Sequence, residues 1–283
     1  MLILSSETQI YTHQSVDLDN ASAVSLAMLI FGIPIDNVHF MDASWDNPDK
    51  LEDILIIDMF CGIKGEQKPG PNNTTIVLSA FASILEKYGS ADHQKAFEDV
   101  AVFIDAQDST GDWRKAYPQI KFSGGSRRMP TILTVFFALK NHYGVSLFKA
   151  TADKDLLLDW FKIIRGIQQS HDAYQLSKKE ADTAEWYEDY PILIMRNQKY
   201  PQTSKALFNR GAEVIIYTRD YNIGAVRSNK SDVNLGDGLK EFLPDWFHHP
   251  AGFLSCWGSW KAPKAKDSGV DTLMLAEWVS RLL

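Results

Sequence analysis

The chain is poor in cysteine. Only Cys61 and Cys256 occur in 283 residues. They are far apart and belong to no CxxC pair or Cys/His zinc pattern, which excludes a disulfide framework and a structural zinc site. Both stand in apolar surroundings and read as reduced, buried thiols. There is no excess of positive charge: 29 Lys and Arg face 36 Asp and Glu, a formal net charge of −7. No global basic field draws in long duplex nucleic acid, although a local patch suffices for a short oligonucleotide or nucleotide. No apolar run is long enough to span a bilayer, and the start, MLILSSETQIYTH, lacks a basic n-region. A soluble, cytoplasmic protein is expected. There is no internal repeat and no low-complexity tract. What the chain does have is ordinary globular usage, 45% hydrophobic and 23% charged, with eight Trp and fifteen Phe to fill cores. This length suits two domains.

The first half alternates strand and helix patterns. Residues 7–12 read as a strand ending at His13. Residues 20–31, NASAVSLAMLIF, read as a buried helix of small apolar residues, stopped by Gly32 and Pro34. Residues 37–41 and 53–59 read as further strands, and the continuous run ILII suits a strand covered on both faces of a parallel sheet. The Gly, Pro and Asn-rich segment 61–75 reads as a loop. Residues 76–88 have apolar positions at helical spacing and end at Gly89. Another helix starts near His93 and runs into the apolar stretch before AQDSTG. Residues 123–128, SGGSRR, interrupt the pattern, and helices follow at 131–143 and 153–177. The acidic, aromatic segment 180–190 marks a boundary. Strands at 191–195, 213–218 and 222–227 then alternate with helices at 203–210, 236–243 and 271–282. The expected domains are 1–150, a helical linker over 151–190, and 191–283. In doubly wound sheets ligands bind outside the carboxyl ends of the strands, which is where His13, Asp17, Asp19, Asp42 and Asp58 fall.

The candidate chemistry gathers at five places. His13-Gln-Ser-Val-Asp17-Leu-Asp19 joins an imidazole and two carboxylates in a loop after a strand, a donor set suited to Mn2+ or Mg2+. Converging acids repel, and a cation relieves the repulsion. The alternative is that Asp17, Asp19 or Asn20 caps the following helix. Asp58 closes a buried strand and needs a partner, a helix N-terminus or a metal; a turn role is the alternative. Asp105 follows the apolar stretch VAVFI and is a second candidate for catalysis beside Asp58, whereas Asp108 suits the turn at Ser109-Thr110-Gly111. Ser123-Gly-Gly-Ser-Arg127-Arg128 offers two guanidiniums to a phosphate or carboxylate, or serves as a surface linker. Arg227 closes a strand, and His248 and His249 sit in a Gly-containing aromatic loop. These three suit phosphate binding, or in the case of the histidines, stacking on the surrounding rings. His39, His93, His142 and His171 read as ordinary surface or core residues.

Thr12-His13-Gln-Ser-Val-Asp17-Leu-Asp19-Asn-Ala-Ser-Ala, followed by an apolar helix, resembles the first motif of the DHH phosphoesterase superfamily. The run ILIIDM, carrying Asp58, resembles the second. LSAFASILEKYG and FIDAQDSTG are similar to the MYG-like branch of metal-dependent hydrolases. The segment with Arg227 and HHPAGF loosely resembles the substrate-binding domain that follows the linker in such proteins. The resemblance implies an α/β fold: a parallel-sheet N-terminal DHH-like domain and a smaller C-terminal α/β substrate-binding domain. It implies one or two Mn2+ or Mg2+ ions held by His13, Asp17, Asp19 and Asp58, with Asp105 nearby. It implies hydrolysis of a small phosphodiester or short oligonucleotide, with Arg227 and His248 or His249 holding the phosphate; Arg127 and Arg128 are added to the substrate-binding candidates on their own chemistry. The family's Asp-His-His triplet, which supplies a metal-bridging Asp and a catalytic His, occurs nowhere in the chain. Gly62-Ile-Lys64-Gly-Glu66-Gln67 stands in its place, so that Lys64 and Glu66 are candidate replacements. The alternative function is a non-catalytic nucleotide- or phosphate-binding protein on the same fold.

Overall fold

The computed structural model describes residues 4–14, 16–42, 45, 54–59, 62–63, 67–69, 75–110, 131–143, 154–259 and 262–283. It is an α/β protein of two compact units, Met1–Gln169 and Ser170–Leu283. The division falls inside one long helix, within the segment expected to be a helical linker. Among the described residues no helix is long and apolar enough to cross a membrane.

The first unit holds β1 (Gln9–His13), α1 (Leu18–Phe31), β2 (Val38–Met41) and β3 (Ile54–Ile57). The three strands form a parallel sheet in the order β2-β1-β3. Ile10 pairs with Val38 on one side and with Leu55 on the other. Alternation is clean: Ile10, Thr12, Val38, Leu55 and Ile57 are buried, while Gln9, Tyr11, His13, His39 and Ile56 are half-buried. All three strands run the same way, so their carboxyl ends lie side by side. His13, Asp42 and Asp58 stand on or just after those ends.

Helix α1 is buried all around over Leu18–Met28. Its Ala and Ser residues permit that, because small side chains let neighbouring elements approach from every direction. Ser22 accepts a hydrogen bond from the Trp160 indole at 3.0 Å. Gly32 ends the helix in the left-handed conformation with φ 71°.

Two expectations change here. The loop expected over 61–75 contains an antiparallel pair, β4 (Gln67–Pro69) with β5 (Thr75–Val77), so the next helix, α2 (Ala80–Tyr88), starts later than its pattern suggests. Ser79 caps it, accepting from the Ala82 amide. Helix α3 (Ala91–Thr110) runs through AQDST. Asp105 and Asp108 are therefore helical and not in a loop, because no Gly or Pro stands before Gly111 to end the helix. Helix α4 (Thr131–His142) and the first part of α5 (Lys154–Ala181) complete the unit, with Phe136 and Trp160 packed edge to face in its core.

The second unit contains the end of α5, β6 (Glu185–Trp186), β7 (Ile192–Met195), α6 (Thr203–Asn209), β8 (Val214–Arg219), β9 (Asn222–Arg227), α7 (Leu235–Lys240), β10 (Phe247–His248), β11 (Leu254–Trp257) and α8 (Thr272–Ser280). Its sheet has the order β10-β11-β9-β8-β7-β6, with only β7 and β8 parallel. Ile192, Ile194, Val214 and Ile216 pack with Leu235, Leu239, Leu275 and Val279 of α7 and α8. Leu193, Met195 and Ile215 face the other way, with Ala206 and Leu207 of α6.

Candidate metal centre

His13, Asp17 and Asp58 each offer one ligand atom, and the three atoms lie within 4.8 Å of one another. Three different local causes place them. His13 is the last residue of β1. Asp17 is the N-cap of α1, accepting from the Asn20 amide at 2.9 Å. Asp58 follows β3 with φ 53°, a left-handed conformation that Asp tolerates better than most residues.

The chain after Asp58 doubles back onto its own strand. The Asp58 amide donates to the Ile63 carbonyl at 2.7 Å, and the Ile63 amide to the Ile56 carbonyl at 2.8 Å. Gly62 makes this possible: a Cβ there would lie 2.4 Å from the Ile56 carbonyl oxygen. Asp58 is thereby fixed, and its Oδ2 meets His13 Nε2 at 2.8 Å. The strand ends are tied underneath, where the Thr12 hydroxyl donates to the Ile57 carbonyl at 3.0 Å and accepts from Asn20 Nδ2.

The donor set fits a divalent ion. Adjacent ligands of an octahedral ion with bonds of about 2.1 Å lie about 3 Å apart, and opposite ones about 4.2 Å. The 2.8 Å contact of His13 with Asp58 is a hydrogen bond, and an ion held by both atoms would take the place of its proton. One imidazole with two carboxylates suits Mn2+ or Mg2+ better than a softer metal.

Asp19 is placed differently. It is 4% exposed, and its two oxygens accept from the Ala80 amide at 2.7 Å and the Phe81 amide at 2.8 Å. It caps α2, not its own helix. Asp105 reaches the same helix end, accepting from the Ser79 amide at 2.5 Å. Two acids thus satisfy three of the orphan N–H groups that every helix start presents.

Burial is the first cause of the shifts in these carboxyls. Asp17 is exposed by area, yet protein surrounds its carboxyl closely enough that lost hydration raises its pKa, with Asp58 adding to the effect. Asp19 is held well above the ordinary value by burial, against the pull of the Phe81 and Ala80 amides. Asp105 is raised by burial and drawn back by Ser79. A carboxyl raised on folding keeps its proton to higher pH in the folded state. Its contribution to stability is therefore full below the ordinary value of 3.8 and is lost as pH rises through the folded value. Asp105→Asn keeps an acceptor for Ser79 but does not titrate. Its stability relative to wild type is expected to improve as pH rises from the ordinary value of 3.8 through the raised folded value, measured by urea unfolding. A constant difference would contradict this.

The other expected site residues fall as follows. Asp42 lies exposed after β2. Arg127, Arg128, Lys64 and Glu66 lie outside the described residues, as does Cys61. Cys256 is free and buried. The Arg227 guanidinium donates to the Ser228 carbonyl at 3.0 Å and also to the Ser231 carbonyl, holding the turn after β9. Both His248 ring nitrogens are engaged, with the Ser255 hydroxyl and with the Leu243 carbonyl, each at 2.9 Å. His249 lies against Phe253, with ring centres 4.0 Å apart.

Lys140 is a charged residue at this centre that no sequence motif marks. It is 7% exposed, and its ammonium donates to the Val16 carbonyl at 2.9 Å. A lone Lys near the end of an apolar helix carries no local signal of such a role. A cavity of about 790 Å³ lies in the second unit, against Tyr217, Phe247, Trp257 and Lys264. None of these four is a ligand candidate, and the chemistry sits instead at the carboxylate cluster.

No family model and no curated protein matches the sequence. Among solved structures, the RecJ of Thermus thermophilus in complex with Mn2+ aligns over 97% of this chain and 52% of its own, at 11% identity and a TM-score of 0.32. An exonuclease RecJ bound to manganese aligns over 99% of this chain and 90% of its own, at 12% identity and a TM-score of 0.30. An exopolyphosphatase-related protein from Bacteroides fragilis aligns over 98% and 92%, at 12% identity and a TM-score of 0.29. The chain spans about half the length of the first of these. Superpositions this loose carry no weight for family or activity, which rest on the residues themselves.

Proposed function

We propose that this chain is a metal-dependent phosphoesterase of the DHH type, acting on a small phosphodiester or short oligonucleotide. The observation that carries the reading is the convergence of His13, Asp17 and Asp58 at the carboxyl ends of a parallel sheet. These three residues would hold the ion, Mn2+ or Mg2+. When bound, such an ion acidifies water and polarises a phosphoryl oxygen.

The chain's own residues supply the positioning. Asp58 holds His13 in place, and the α1 cap fixes Asp17 so that only part of its carboxylate is used by the helix. Asp19 and Asp105 set the start of α2 beside the site. In this reading Arg127 and Arg128 meet the substrate phosphate. Arg227 and His248 are committed to bonds within their own unit.

A second reading has one observation in its favour. Asp19 is spent on α2, so the described donor set is three residues instead of four. A nucleotide- or phosphate-binding protein that lost the chemistry would look this way.

The test is hydrolysis of bis(p-nitrophenyl) phosphate with Mn2+, on wild type and Asp17→Asn. Asn caps a helix as well as Asp does, so this variant removes the charge and keeps the fold. Turnover in wild type, lost at least about 100-fold in the variant, is expected. Equal turnover removes the site. Nucleotide binding without any turnover selects the second reading.

A further inference from the structure

One face of the second unit's sheet is packed against α7 and α8. On the other face, Leu193, Met195 and Ile215 of β7 and β8 lie under α6. A row of paired residues continues that face away from α6. Tyr217 of β8 pairs with Gly224 of β9, Gly224 with Cys256 of β11, and Cys256 with Phe247 of β10. Directly paired residues share a face. Tyr217, Cys256 and Phe247 of this row line the cavity of about 790 Å³. His248 and Ser255 come one step along and face the opposite way, where the Ser255 hydroxyl donates to the Leu235 carbonyl at 2.8 Å.

Gly224 shapes the floor. A Cβ there would lie 2.7 Å from the Tyr217 hydroxyl and 2.8 Å from the Cys256 Cβ, so the phenol lies across bare backbone. The Tyr217 hydroxyl is hydrogen-bonded to the Cys256 thiol. These two polar groups are spent on each other, and the floor offers a ligand apolar and aromatic surface. The loop after β11 is pinned to form a wall. Gly258 has φ 78°, and a Cβ there would collide with Asn222 Oδ1. That oxygen accepts from the Lys264 amide at 3.0 Å, and the Trp257 indole donates to the Lys266 carbonyl at 2.9 Å. The Lys264 ammonium lies 4.6 Å from the centre of the Trp257 ring, and both residues line the cavity.

We propose that this cavity binds a flat aromatic anion, with its rings against Tyr217, Phe247 and Trp257 and its charge beside Lys264. The site is separate from the metal centre and does not depend on it. Its volume suits a small organic ligand, and aromatic walls with a few polar groups at the rim are what such ligands meet. Stacked and edge-on ring contacts favour an aromatic occupant over an aliphatic one. Lys264 supplies the positive charge. Asp245, two residues before Phe247, is the acid in the lining and keeps the anionic end at the Lys264 side.

The experiment titrates anilinonaphthalene sulfonate, a flat aromatic anion that brightens in apolar surroundings, into the full chain beside its uncharged parent, phenylnaphthylamine. Wild type is expected to bind the anion saturably, one per chain, and more tightly than the parent. Phe247 is 54% exposed, so Phe247→Ser removes a ring without opening a core. It is expected to weaken both probes at least about tenfold. Lys264→Gln is expected to weaken the anion about fivefold and to leave the parent unchanged. No saturable binding in wild type overturns the proposal, as does a Lys264→Gln that binds the anion as tightly as wild type. So does a folded Phe247→Ser, checked by its thermal melt, that binds both probes unchanged. A wild-type dimer in analytical ultracentrifugation that Phe247→Ser converts to monomer also overturns it, because a second copy then covers the floor. Should Phe247→Ser not fold, the wild-type preference for the anion and its loss in Lys264→Gln decide.

Discussion

Asp58→Asn is expected to weaken Mn2+ binding at least about 100-fold while leaving the fold intact. Removing residues that merely support a metal ligand already costs about 10- to 100-fold, and Asp58 does more than support. Its Oδ2 lies 2.8 Å from His13 Nε2, so it is itself a ligand candidate and sits against the other one. The substitution isolates charge from shape. Asp58 has φ 53°, and Asn is among the few residues that accept this conformation readily. The loop bonds at Ile63 and the close approach at Gly62 involve backbone only, and Asn preserves them. Calorimetric titration of Mn2+, paired with a thermal melt, measures both halves. Wild-type affinity in the variant would take Asp58 out of the site.

Asp19→Ala is expected to have the opposite profile: a large loss of stability, about 3 kcal/mol. Each hydrogen bond to a charged group contributes about 1.5 to 3 kcal/mol, and Asp19 makes two, to Ala80 and Phe81. Some of that is returned, because the buried carboxylate is itself costly, as its strongly raised pKa indicates. The two amides are then left at a buried helix start without acceptors, and only apolar packing still joins α1 to α2 through these residues. Urea unfolding of the variant tests this through its midpoint. A midpoint equal to that of wild type would mean that α2 does not depend on this cap.

These two Asp residues show how far the sequence can be read. The spacing His13, Asp17, Asp19 after an apolar strand, with Asp58 closing another, identifies the strand ends where the donors meet. That follows from periodicity and topology, both of which are local or rule-bound. Helix capping is a local pattern too, and within the Asp17–Asn20 stretch Asp17 does cap α1. Asp19 caps a helix more than sixty residues further on, which only tertiary packing brings into reach. The sequence has Asp105 leaving a buried element, yet it lies within α3 and secures Ser79. Nothing short of Gly111 breaks that helix, and its acidic, hydroxyl-rich end resembles a turn in composition alone. Lys140 is invisible for the same reason as the α2 cap. Its partner lies 124 positions away, and no pattern within α4 marks it. His248 and Arg227 stand out as unusual residues, but their bonds to nearby carbonyls and a hydroxyl depend on how the β9 and β11 ends fold over.

The central claim is that His13, Asp17 and Asp58 together hold a divalent cation. It is tested most directly by the Mn2+ binding isotherm of the full chain, wild type beside Asp17→Asn. The account predicts saturable binding in wild type that is lost or weakened at least about 100-fold in the variant, with both proteins folded. Saturable binding of equal affinity in the two would place the ion elsewhere and contradict it.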